Sequence, residues 1–95
     1  MRVLAQVVHY PKPEHRDDMI AAMGRLRAAS AGVAGLDELG GFEDAEGGRL
    51  IAISVWSSAE AMQSGLATLF GAIADVPFDD WERQQYEMVT CPQVA

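Results

Sequence analysis

Few residues in this chain carry side chains suited to chemistry, and most of those lie near strand ends. His9 and Tyr10 close the first apolar run, RVLAQVVHY. An imidazole titrates near neutrality, so His9 could accept a proton from a weakly acidic substrate; the alternative is a packed or surface histidine. Gln6 is an amide inside the same apolar run. A buried amide must find hydrogen-bond partners, so Gln6 bonds either a ligand carbonyl or a neighbouring side chain. Trp56 ends another strand just before a helix, where it either walls a pocket or fills the core. Tyr86 and Trp81 flank the last strand and could close a pocket or sit at a subunit interface. Met23, Leu66 and Phe70 fall on apolar helix stripes and, with Met19, Met62 and Met88, offer a pliable apolar lining.

Several other chemistries are missing from the sequence. His9, His15 and Cys91 show no ligand spacing for a metal. There is no G-x-S-x-G nucleophile motif, and Cys91 has no adjacent base. Neither a dinucleotide fingerprint nor a phosphate loop is present, so no cofactor is expected. Asp79, Asp80 and Glu82 read as a solvated acidic cluster.

These residues must be placed by a small scaffold. Arg2 to Tyr10 reads as a strand, with Val3, Ala5 and Val7 on one face and Leu4, Gln6 and Val8 on the other. Pro11 stops it, and Pro13 suits the first turn of a helix. Met19, Ala22, Met23, Leu26 and Ser30 share one helical stripe, closed by Gly32 and Gly35. Leu36 to Glu43 is a weaker strand, in which Gly40–Gly41 signals a bulge or a close backbone approach. DAEGG (44–48) is turn chemistry, and Arg49 to Trp56 is the strongest strand, so the two form a hairpin. Ser57 and Glu60 read as a capping box for a helix that buries Met62, Leu66, Leu69, Phe70 and Ile73. Trp81 to Gln85 is either a helical turn or a strand entry, and Gln85 to Cys91 is the fourth strand.

The order is βαββαβ over residues 1–95, one α+β domain. Right-handed crossovers about a central hairpin give the ferredoxin-like arrangement, a four-stranded antiparallel sheet with both helices on one face. Both faces of the first and third strands are apolar, so the face without helices needs a cover. A second copy related by a two-fold axis is the simplest one, which predicts a homodimer.

Bulk properties narrow the partners. Fourteen acids oppose seven scattered bases, a net charge of −7, which disfavours nucleic acid and anionic membrane surfaces. No uncharged apolar run approaches the ~20 residues of a membrane span. A single cysteine excludes an intramolecular disulfide, and no signal-peptide pattern opens the chain, so the cytoplasm is the expected location.

The segments VVHYPKPEHRDDM, AGLDELGGFEDAEGGRLIAISVW and VWSSAEAM together resemble the antibiotic biosynthesis monooxygenase family of dimeric α+β barrels. The resemblance spans most of the chain. It implies an oxidoreductase acting without a cofactor on a small aromatic or quinol-type molecule. That substrate would lie in an apolar pocket between sheet and helices, with Gln6 or His9 favouring its anion and Trp56 in the pocket wall. Haem-degrading relatives carry an iron-ligating His in the second helix. The corresponding stretch here is Gln63-Ser64-Gly65-Leu66, so the resemblance does not extend to haem. Those relatives also place an Asn on the first strand, in the neighbourhood of Gln6. A non-catalytic dimer that binds a small hydrophobic ligand is the alternative function.

Overall fold

The computed structural model describes residues 1–95. Four strands are formed: β1 (Val3–His9), β2 (Leu36–Asp44), β3 (Arg49–Trp56) and β4 (Glu87–Pro92). The helices are α1 (Arg16–Ala29), entered through a 3-10 turn at Pro13–His15, then α2 (Ala59–Gly71) and the single turn α3 (Phe78–Trp81). The sheet is antiparallel throughout, in the order β2-β3-β1-β4, with the helices on one face. This is the βαββαβ ferredoxin-like arrangement, with α3 added before the last strand.

Element limits follow local chemistry. Pro11 ends the β1 ladder because it has no N–H to give. Asp17 and Asp18 lie in the first turn of α1 and Arg27 in its last, as the helix dipole favours. The cap of α2 differs from the capping-box expectation: Ser58, not Ser57, accepts the Ala61 N–H at 3.1 Å. Ser58 has the extended backbone of an N-cap, which puts Glu60 at the second helical position, one short of the reciprocal bond. The β2–β3 register runs unbroken through Gly40 and Gly41, and the irregularity falls at Leu36/Glu38. Gly41 is the close approach instead, since a Cβ there would sit 2.9 Å from the Met23 sulfur.

The register sorts the side chains. Ala5 pairs with Ser54, Val7 with Ala52 and His9 with Leu50, and these face the helices. Leu4, Gln6 and Val8 lie on the opposite face, in register with Val55, Ile53 and Ile51. No helix covers that face, and Phe42 and Val89 stand exposed. All six residues of β4, an edge strand, are exposed.

The tightest packing is at the Trp56 end of the layer between helices and sheet. Trp56 is 0% exposed and sits against Ala5 and Leu69, with Leu26, Val33, Met62 and Leu66 around them. Burying an indole of ~150–250 Å² contributes roughly 4–6 kcal/mol as an upper bound. Gly65 makes room for it, because a Cβ at that position would collide with the Trp56 ring.

Candidate functional site

At the other end of the same layer, sheet and helices part. A cavity of about 320 Å³ opens between β1, β3, the two long helices and the segment leading to β4. Ala5, Val7 and Ala52 form its floor; Met19, Met23, Leu66 and Leu69 come from the helices; Phe70, Phe78, Tyr86 and Met88 border its open side. Phe70 and Tyr86 are 47% and 45% exposed, which makes them rim residues. Of the 20 lining residues 18 are hydrophobic, and the two polar ones are His9 and Ser54. A concave, mostly apolar site with a few fixed polar groups is the usual form of a small-molecule pocket.

His9 is held on three sides. Its ring stacks on Phe78 with centroids 5.3 Å apart and planes 14° from parallel, and Tyr86 tilts against it at 5.8 Å. Its Nδ1 lies 3.1 Å from Glu82 Oε1, which also accepts the Tyr10 N–H at 3.0 Å. A carboxylate can only accept, so Nδ1 donates and Nε2 is left as the acceptor. Burial holds the His9 pKa below its ordinary value of 6.5, although Glu82 pulls the other way. The neutral ring is thus an oriented base on the wall of an apolar cavity, the arrangement general-base chemistry requires.

Glu82 is the residue that sequence reasoning missed. Instead of sitting in a solvated acidic cluster it is buried, while Asp79 and Asp80 are exposed. The chain after α3 pairs with the continuation of β1: Lys12 N–H donates to Trp81 O and Arg83 N–H to Tyr10 O. The antiparallel bridge Pro11–Glu82 lies between them and turns the Glu82 side chain inward. Arg83 fastens the segment from outside, donating to the Gly47 and Gly48 carbonyls and lying over the Tyr10 ring at 5.4 Å. The tract DDWERQ (79–84) reads as surface, so the inward turn of one acid had no local signal.

The structure brings His9, Tyr86, Met23, Leu66 and Phe70 together around the cavity. Gln6, Trp56, Trp81 and Met62 do not line it. Gln6 lies on the face away from the helices, in register with Ile53 and Val89, because adjacent strand positions point to opposite faces. It cannot share a ligand with His9 inside this cavity. Trp56 is not in the cavity wall either. Its ring is enclosed in the core, and its Nε1–H donates to Ser54 Oγ at 2.8 Å. Trp81 is also elsewhere, stacked on His15 at 5.6 Å. No group of three or more His, Cys, Asp and Glu side chains is placed to hold a metal ion.

No protein-family model matches the sequence, and no curated protein matches it. Solved structures do match over nearly the full length. Rv0793 from Mycobacterium tuberculosis superposes with a TM-score of 0.87 at 14% identity, covering 100% of this chain and 97% of that one. A conserved protein from Methanosarcina mazei Go1 gives 0.85 at 10% identity, covering 99% and 94%. A structure described as an antibiotic biosynthesis monooxygenase gives 0.80 at 17% identity, covering 98% and 99%. At these identities the likeness establishes architecture, and the chain has the fold of the antibiotic biosynthesis monooxygenases.

Proposed function

We propose that the chain is a cofactor-independent monooxygenase acting on a small, easily oxidised aromatic molecule. One observation carries this reading: a cavity of about 320 Å³ with a carboxylate-oriented imidazole as its one titratable lining group other than the Tyr86 phenol. An apolar site strips water from a bound phenol, quinol or anthrone-type substrate. His9 Nε2 then accepts the acidic proton, and the resulting imidazolium stabilises the anion in a low-dielectric site. For an anthrone-type CH₂, the carbanion reduces oxygen by one electron and recombines with it. The product peroxide takes the proton back from His9 and loses water to leave a carbonyl. The balance is R₂CH₂ + O₂ → R₂C=O + H₂O. Glu82 is the positioning residue, keeping Nδ1 protonated and Nε2 free. The solved structures described as monooxygenases lend this reading its reaction type.

The test is oxygen uptake by the purified protein with a panel of hydroquinones, phenols and anthrones. Turnover is expected in wild type, and His9→Gln should reduce it by about 10²-fold or more, the usual worth of a general base. No uptake above background on any panel member would sink the oxygenase reading and leave a non-catalytic binder.

The helix-free sheet face is proposed to meet a second copy of the chain. Leu4, Val55, Ile51 and Phe42 supply an apolar surface there, and two-fold pairing covers it with one interface. Sedimentation at micromolar concentration should give a dimer. A monomer would refute the pairing without touching the cavity.

A further inference from the structure

Two polar groups of the cavity, His9 and Ser54, stand at opposite ends. His9 pairs with Leu50, whereas Ser54 pairs with Ala5, so the two lie four residues apart along the sheet. At ~3.3 Å per residue that is about 13 Å between their backbone positions. Only Val7 and Ala52 form the floor between them. His9 presents an acceptor near the open side. Ser54, 5% exposed, presents a hydroxyl at the deep side.

The Ser54 hydroxyl is half used. Its oxygen accepts the Trp56 indole N–H at 2.8 Å, and its own O–H goes to no protein acceptor. The enclosed Trp56 ring fixes where that oxygen sits. The bond it accepts also polarises the hydroxyl and strengthens it as a donor. A buried donor without an acceptor is costly, so a ligand oxygen placed there is favoured. No charged side chain other than titratable His9 lines the cavity, which disfavours carboxylated or phosphorylated molecules.

Building on the reading of the cavity as a ligand site with His9 as its base, we propose that the cavity selects a two-ended ligand. It is a flat, uncharged body of two or three fused rings. Its carbonyl oxygen enters first and accepts from Ser54, and its ionisable O–H trails beside His9. Subtracting roughly 3 Å for each hydrogen bond leaves ~7 Å between the ligand's polar atoms, more than the two oxygens of a simple quinol ring span. Ser54 thereby sets which end enters, and so which proton His9 meets.

The experiment is calorimetric binding of three neutral probes under argon: 6-acetyl-2-naphthol, 2-naphthol and 2-acetylnaphthalene. Wild type should bind the two-ended probe about 10-fold more tightly than 2-naphthol, the worth of one added hydrogen bond. Ser54→Ala should erase that advantage while leaving 2-naphthol within about twofold of wild type. Ser54→Thr, which keeps the hydroxyl, should retain it. Unchanged 2-naphthol affinity shows that the alanine variant still forms the cavity; if that variant does not fold, the wild-type ranking and the threonine variant decide. Equal wild-type affinities for 6-acetyl-2-naphthol and 2-naphthol, or an advantage that survives Ser54→Ala, would overturn the proposal. Because binding is read without oxygen, failed turnover alone leaves this result standing, and equal affinities leave the oxygenase reading standing.

Discussion

The two ends of the helix–sheet layer use the same residue types to opposite ends. Around Trp56 the indole fills the space, Gly65 clears room for it, and Ala5 and Leu69 close over it. Around His9, small floor residues (Val7 and Ala52) face flexible methionines and rim aromatics, and a cavity remains. The difference teaches that composition does not separate core from pocket. What separates them is whether a large side chain is aimed into the gap. Ser54 joins the two ends, holding Trp56 with its oxygen and facing the cavity with its hydroxyl.

The largest expected effect is at the filled end. Trp56→Ala should cost about 3–5 kcal/mol in urea unfolding, the range for truncating a core aromatic. A loss below about 1 kcal/mol would mean that this end is not the packed one. Next, Gly65→Ala should destabilise by about 1–3 kcal/mol through collision with the indole, despite ~1 kcal/mol of helix propensity gained. Its counterpart at the open end is Val7→Phe, which adds more atoms yet should cost under about 1 kcal/mol, because the cavity receives the ring. The same variant should lose naphthol binding in calorimetry, and similar costs for both substitutions would erase the contrast between the ends.

The smallest effect is a pH dependence. Burial lowers the His9 pKa in the folded chain below 6.5, so the unfolded chain takes up a proton that the native one resists. Stability contributed by neutral His9 is therefore present above 6.5, lost as pH falls through that value, and level again below the folded-state pKa. Urea midpoints at about pH 7.5 and about pH 5 should differ more in wild type than in His9→Gln. An identical drop in both proteins would show that His9 is not the group responsible.

Much of the scaffold was legible in the residues themselves. Runs rich in β-branched and aromatic residues placed β1 and β3, the stripe Met19–Ala22–Met23–Leu26 placed α1, and Pro11 and Gly-rich punctuation set the breaks. Parity even carried a warning about the site: positions 6 and 9 differ by an odd number, so Gln6 and His9 had to face opposite sides of one strand. Less was legible in the run from Asp75 to Tyr86. Its polar, proline-broken sequence has no period, and α3 and the Pro11–Glu82 bridge arise from contacts with β1.

By itself, then, the sequence determined the order of elements, the apolar character of both sheet faces and the place of the His9 imidazole at a strand end, because these depend on period and residue type along the chain. Only the tertiary structure decided that Trp56 fills the core, that Ser54 opens on the cavity, and that Glu82 turns inward to orient His9. Those outcomes depend on which distant segments meet, and a carboxylate 73 positions away leaves no local trace in the residues it will join.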